Sequence, residues 1–176
     1  MIIETHRLSL REMRQTDYLA LSKILQDPDV MYAYEGAFND VEVQEWLDKQ
    51  MSRYTEFGFG LWAVILSETG EMIGQCGLTM QPYINNQVLE VGYLFQKAFW
   101  HCGYATEAAI ASRDYAFDTL NTEEVFSIIR DTNIASQNVA KRIGMTVKDR
   151  FIKYYRGIDI PHYLFSVESR KRNASR

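Results

Sequence analysis

The chain has 176 residues, enough for one domain with its own core and too few for more than two small ones. A formal net charge of −4 argues against general nucleic-acid binding, which needs a basic face to displace phosphate counterions. No apolar run is long enough to span a membrane, and two cysteines, Cys76 and Cys102, permit at most one bridge. The opening MIIETHRLSLRE lacks the apolar stretch of a signal peptide, so a cytoplasmic location is expected.

Residues 7–11 alternate, with Leu8 and Leu10 on one side, and predict a strand. Asp17 is the expected cap of a helix over 18–26, which Asp27-Pro28 ends. Asp40 is the expected cap of a second helix over 41–57, carrying Val43, Trp46, Leu47, Gln50 and Tyr54. Residues 32–39 between them read as a loop. Leu61–Leu66 and Met72–Met80, joined by the turn Glu68-Thr69-Gly70-Glu71, predict a hairpin. Gly74 and Gly77 in its second strand predict a bulge or a close backbone approach. A turn over 82–87 leads to a strand over 88–95.

The next helix covers 104–118. Ala105, Ala108, Ala109, Ser112 and Ala116 form a small-residue face suited to close packing on a sheet, while Glu107, Asp114 and Asp118 mark a solvent stripe. A strand follows over 124–130. Then comes a helix over 134–143 with Ala135, Val139, Ala140 and Ile143 inward and Gly144 as its left-handed cap. Strands over 146–155 and 160–168 close the chain, joined through Arg156-Gly157-Ile158-Asp159. The result is one α/β domain over 1–168, with seven strands and four helices around a single sheet, and a basic tail over 169–176.

Gly103 stands where the loop after the 88–95 strand turns into the 104–118 helix. Free N–H groups at a helix start make an anion site, and a residue without Cβ lets an oxygen-rich group approach the backbone. A glycine there equally marks a tight connection.

The motif Trp100-His101-Cys102-Gly103-Tyr104-Ala105-Thr106-Glu107-Ala108 is similar to the W-G-x-G-Y-A-T-E-A of the GNAT acyltransferases, in their RimJ/RimL-like branch of ribosomal-protein N-terminal acetyltransferases. Asn133-Ile134-Ala135-Ser136, followed by Val139 to Met145, resembles a second motif of that branch. Glu4-Thr5-His6-Arg7-Leu8 resembles its opening E-T-E-R-L.

The resemblance implies a mixed, mostly antiparallel sheet splayed between two central strands to take acetyl-CoA, with no metal. It implies that His101, Cys102, Gly103, Tyr104, Ala105 and Thr106 face the CoA pyrophosphate. Leu94, Phe95 and Gln96 would pair with the pantetheine arm; Asn133 would hydrogen-bond near it, and Ser136 would sit by the thioester. Two departures stand out: His101 replaces the loop's usual glycine, and Ala140 occupies the position of a common tyrosine acid. The first should be tolerated, because the donor is the backbone N–H. The second leaves Ser136, a water or another tyrosine to protonate the thiolate.

Acetyl transfer needs an uncharged amine. A lysine-type amine, pKa about 10.4, is neutral in roughly one molecule in 10³ at pH 7, whereas a peptide α-amine near about 7.7–8.0 is neutral about a tenth of the time. A peptide or protein N-terminus is therefore the favoured acceptor. Amino acids, polyamines and aminoglycosides are the alternatives, and a non-catalytic acyl-CoA-binding module is the competing class. Glu90, in the apolar run Leu89-Glu90-Val91, is the expected base, acting through a water. Tyr32, Tyr34, Glu35, Trp62 and Gln75 are the expected acceptor-pocket residues, with Glu35 holding a cationic group. Cys102 is set aside as a nucleophile because the sequence places no partner histidine for it and the loop's role is taken by phosphate binding. His6, His101 and His162 show no metal-ligand spacing, and a homodimer is left open.

Overall fold

Alternation along the central strands sends side chains to two separate cores, one on each face of a single sheet. The computed structural model describes residues 1–169, so all but the first residue of the expected basic tail over 169–176 lies outside the described residues. In chain order the elements are β1 (Ile3–Glu4), β2 (Leu8–Arg11), α1 (Tyr18–Leu25), α2 (Pro28–Met31), α3 (Asp40–Phe57), β3 (Leu61–Leu66), β4 (Met72–Tyr83) and β5 (Asn86–Phe95). There follow α4 (Tyr104–Asp118), β6 (Glu124–Arg130), α5 (Ile134–Arg142), β7 (Thr146–Tyr155) and β8 (Ile158–Glu168). The sheet order is β1-β2-β3-β4-β5-β6-β8-β7, antiparallel except for β5 beside β6. The eighth strand and fifth helix beyond the expected number are the short β1 and α2.

On one face Leu8, Leu10, Trp62, Val64, Cys76, Leu78 and Val91 pack with Ala108, Ala109 and Ala116 of α4. Small residues let this helix sit close, and Ser112 Oγ lies 3.4 Å from Cys76 Sγ. On the other face Leu61 and Ala63 meet Leu21, Leu25, Val43 and Leu47 of α1 and α3. Gly77 is a close approach: a Cβ there would lie 2.1 Å from the Gly60 carbonyl oxygen. Gly74 lies beneath the Phe95 ring, opposite Val64, where the β3–β4 register shifts.

Several local expectations change. Asn39, not Asp40, caps α3, in a reciprocal box with Glu42. Asp17 makes no side-chain cap to α1; its carboxylate takes a two-pronged bond from Arg11 at 2.8 Å and the Arg14 N–H. Ala135 is exposed, and Gln137 is buried in its stead because its amide bonds the Asp131 carbonyl at 2.8 Å. Glu107 is not on a solvent stripe, for reasons given below. No helix among the described residues is long and apolar enough to cross a membrane.

Candidate active site

The two central strands separate. β5 and β6 share one paired position, Glu90 opposite Phe126, and then diverge. The backbone groups freed by this splay are satisfied by side chains. The Ile128 N–H donates to Glu90 Oε2 at 3.0 Å, and Ser127 Oγ donates to the Val91 carbonyl at 2.8 Å. A cleft of about 390 Å³ opens there, bordered by α3, β4, β5, β6, the start of α5 and the β7–β8 hairpin.

Glu90 lines this cleft. Burial pushes its carboxyl above the usual range, while the Ile128 N–H, Lys153, the Thr79 hydroxyl and Arg53 pull the other way. The Thr79 hydroxyl lies 3.4 Å from Oε1. Asn133 and Ser136 also line the cleft. Asn133 Oδ1 caps α5 by accepting from the Ser136 N–H at 3.1 Å, which leaves its NH2 as the group it can offer a ligand. The Tyr93 hydroxyl donates to the Ser136 carbonyl at 2.7 Å, so β5 and α5 are tied directly beneath the cleft. Ala140 is fully buried in the core beside them.

The end of β5 divides. Leu94 lines the cleft. The Phe95 carbonyl accepts from Trp100 Nε1 at 3.0 Å, and its ring is buried. Gln96 is committed to β4, with its N–H on the Ile73 carbonyl at 2.9 Å and its amide on the Met72 carbonyl at 2.7 Å.

The loop before α4 carries two left-handed residues, His101 (φ 61°) and Gly103 (φ 80°). This bends His101, Cys102 and Gly103 around the helix start, where the N–H groups of Tyr104, Ala105 and Thr106 have no acceptor within the helix. His101, Cys102 and Gly103 are exposed. The N-terminal motif supports this loop. Arg7 Nε donates to Glu107 Oε2 at 2.7 Å, Arg7 Nη1 to the Cys102 carbonyl at 3.0 Å, and the guanidinium lies 4.4 Å from the centre of the Tyr104 ring. The Thr5 hydroxyl donates to Glu107 Oε1 at 2.6 Å. Burial raises the Glu107 carboxyl, but the Thr5 and Arg7 bonds outweigh it and hold it below the ordinary value. This explains why the expected solvent stripe fails at Glu107.

The expected acceptor residues scatter. Tyr34 lines the cleft with its ring edge-on to Trp46, and burial pushes its hydroxyl up. Gln75 is fully buried and accepts from Trp46 Nε1 at 3.0 Å. Tyr32 meets the site through its carbonyl, which accepts from Arg130 at 3.2 Å. Glu35 is ion-paired to Arg130 and so is not open to a cationic acceptor. Trp62 lies on the opposite face, 1% exposed, edge-on to Tyr115 of α4 at 5.2 Å.

Several cleft residues escaped the sequence reading. Trp46, Lys49, Gln50 and Arg53 all line it, and their i, i+3, i+4, i+7 spacing on α3 was the available signal. Lys153, Tyr155 and His162 come from the β7–β8 hairpin. His162 Nδ1 must carry its proton, since it bonds the Ile160 carbonyl at 2.9 Å, and burial lowers its pKa.

The family model described as an acetyltransferase (GNAT) domain matches residues 7–146. An uncharacterized protein of Bacillus subtilis, YkkB, is 36% identical over 157 residues, covering 89% of this chain and 91% of its own length. The crystal structure of an acetyltransferase from Agrobacterium tumefaciens superposes with a TM-score of 0.79 at 30% identity, over 95% of this chain and 94% of that one. RimL, a ribosomal L7/L12 α-N-protein acetyltransferase solved with coenzyme A, has the same fold, with a TM-score of 0.78 at 16% identity, over 95% of this chain and 97% of its own. The chain thus belongs to the GNAT family and is an acetyl-CoA-dependent N-acetyltransferase.

Proposed function

We propose that the protein transfers acetyl from acetyl-CoA directly to the α-amine of a peptide, protein N-terminus or amino-acid-like acceptor, with Glu90 as base. The carrying observation is the Glu90 carboxyl where β5 and β6 part, its pKa raised by burial toward the range useful to a general base. In this reading the pyrophosphate meets the His101–Thr106 backbone, and the pantetheine arm runs past Leu94 into the splay. The amine nitrogen attacks the acetyl carbon and passes its proton, through a water, to Glu90. The C–S bond then breaks, and the departing thiolate takes a proton from Ser136 or a water it holds. An α-amine suits this site because a carboxylate is a weak base, and about a tenth of such amines is already neutral at pH 7.

The test is thiol release from acetyl-CoA against Ser-, Ala- and Asp-starting peptides, free amino acids, spermidine and an aminoglycoside. Turnover is expected with α-amines. Turnover confined to spermidine or the aminoglycoside would overturn the acceptor assignment. Silence throughout, with acetyl-CoA still raising the melting temperature, would favour a binding module.

A further inference from the structure

The cleft has a charge imbalance. Lys49, Arg53, Arg130 and Lys153 line it, and Glu90 is the one carboxylate among the described residues that does. Arg130 is paired with Glu35. None of the ion pairs among the described residues includes Lys49, Arg53 or Lys153. Lys49 lies near both of the others, while Arg53 and Lys153 also face Glu90. Burial and then the charges of Arg53 and Lys153 lower the Lys49 pKa, and burial lowers that of Arg53.

The unmet hydrogen bonds have the same sign. Gln50 is fully buried, lines the cleft and accepts from Arg53 Nη1 at 2.9 Å. Because Arg53 can only donate, Gln50 must turn its oxygen that way, and its Nε2 is left without a partner. Gln75 is oriented likewise by the donor-only Trp46 indole, and its Nε2 is also unmatched. The remaining orphan among the described residues is Arg130 Nε. All three are donors; Gln50 and Arg130 line the cleft and Gln75 does not, so what would complete the two in the cleft is an acceptor. A buried donor without a partner has lost its water and gained nothing, so a ligand oxygen that fills it recovers that loss.

We propose that the amine acceptor carries a carboxylate, held by Lys49, Gln50 and Arg53 of α3 and by Lys153 of β7. This rests on the acetyl-transfer reading and narrows its substrate class to acidic amines. A polyamine would meet four cations and no open carboxylate except Glu90, and is selected against by the same field.

The experiment compares kcat/KM for two matched pairs of acceptors at saturating acetyl-CoA. One pair is a C-terminally amidated peptide beginning Ser-Asp-Glu and its Ser-Asn-Gln counterpart. The other is free glutamate and its diamide. Each is measured with the unaltered protein and with the Lys49→Gln/Lys153→Gln variant. Both lysines are exposed, so their replacement leaves the core intact.

At least one acid should exceed its amide by about tenfold, the equivalent of one charge-assisted hydrogen bond. The variant should raise KM for that acid alone and leave the acetyl-CoA KM unchanged. A preference in the peptide pair assigns the carboxylate to an acidic side chain; one in the free pair assigns it to an amino acid. Equal use of acid and amide in both pairs, or an acid preference that survives in the variant, overturns the inference while acetyl transfer stands. No acetylation of any of the four overturns the α-amine acceptor assignment, and the inference with it.

Discussion

At the residue scale, Glu90 has two jobs that a substitution can separate. It accepts the Ile128 N–H, which the splay has left without a strand partner, and it offers a carboxyl to the cleft. Gln keeps an oxygen for the first task and cannot do the second. Glu90→Gln should therefore lower kcat by about 10²-fold, the typical worth of a general base, with the acetyl-CoA KM unchanged. Because burial raises the Glu90 pKa, the carboxylate forms only above the ordinary range of about 4.3. The rate should rise with pH through that higher value, and this acidic limb should vanish in the Gln variant. An unaltered pH profile would remove Glu90 from the chemistry.

His101 is the second residue with a separable role. At φ 61° it occupies the left-handed region that the family's usual glycine enters freely. Non-glycine residues held there cost about 1 kcal/mol or more. His101→Gly should raise the melting temperature or leave it unchanged, with acetyl-CoA binding retained, since the backbone N–H persists. His101→Val, branched at Cβ, should lower both. Loss of acetyl-CoA binding in the Gly variant would mean that the imidazole itself contacts the cofactor.

At the element scale, the β1–β2 connection and the start of α4 act as one unit. Arg7 bonds Glu107 and the Cys102 carbonyl and stacks on Tyr104, so the N-terminal motif braces the loop from beneath. Arg7→Ala should raise the acetyl-CoA KM about tenfold, one charge-assisted bond's worth, without changing the KM for the amine. An equal rise in both would mean general loosening.

A comparable brace holds the start of α1. Burial raises the Asp17 carboxyl, but the Arg11 bond and the Arg14 N–H outweigh it and the net pKa is depressed. Its stabilisation is therefore present above the unfolded value of about 3.9 and is lost as pH falls through the lower folded value. Arg11→Ala leaves a buried carboxylate without its partner and should cost about 3 kcal/mol at pH 7, read by urea unfolding. The difference from the unaltered protein should shrink only as pH falls through the depressed folded-state value of Asp17, below which the carboxyl is protonated in both.

At the scale of the whole molecule, a sheet with a core on each face is opened at one point. Gly77 is critical to closing β4 onto the Gly60 segment: Gly77→Ala would put a methyl 2.1 Å from a carbonyl oxygen and force the strands apart. A loss of several kcal/mol is expected, at the severe end for single substitutions (about 4 or more). An alanine variant melting within about 2 °C of the unaltered protein would show that the strands can slide apart cheaply.

The long elements were legible because local rules and tertiary demands agree in them. The continuous apolar run of Leu61–Leu66, the small face of Ala108, Ala109, Ser112 and Ala116, and the left-handed cap at Gly144 need no distant partner to be read. Asn133, Ser136 and the His101–Thr106 loop could be singled out because their motifs are contiguous. By contrast, Glu107 seemed a solvent residue until Thr5 and Arg7, about 100 positions away, met it. Trp62 was drawn toward the cleft, although the facing of β3 turns it onto α4. Glu35 was offered to a cation, although Arg130 already holds it. The cleft's positive character was hidden for the same reason, since Lys49 and Arg53 join Lys153 only when the β7–β8 hairpin folds over α3. Sequence by itself determined the long elements and singled out the loop before α4, because propensity, periodicity and backbone geometry act over a few residues. Only the tertiary structure decided which charges face each other and which are left open, because Coulomb interactions and hydrogen bonds depend on distance in space, and the chain order does not carry that distance.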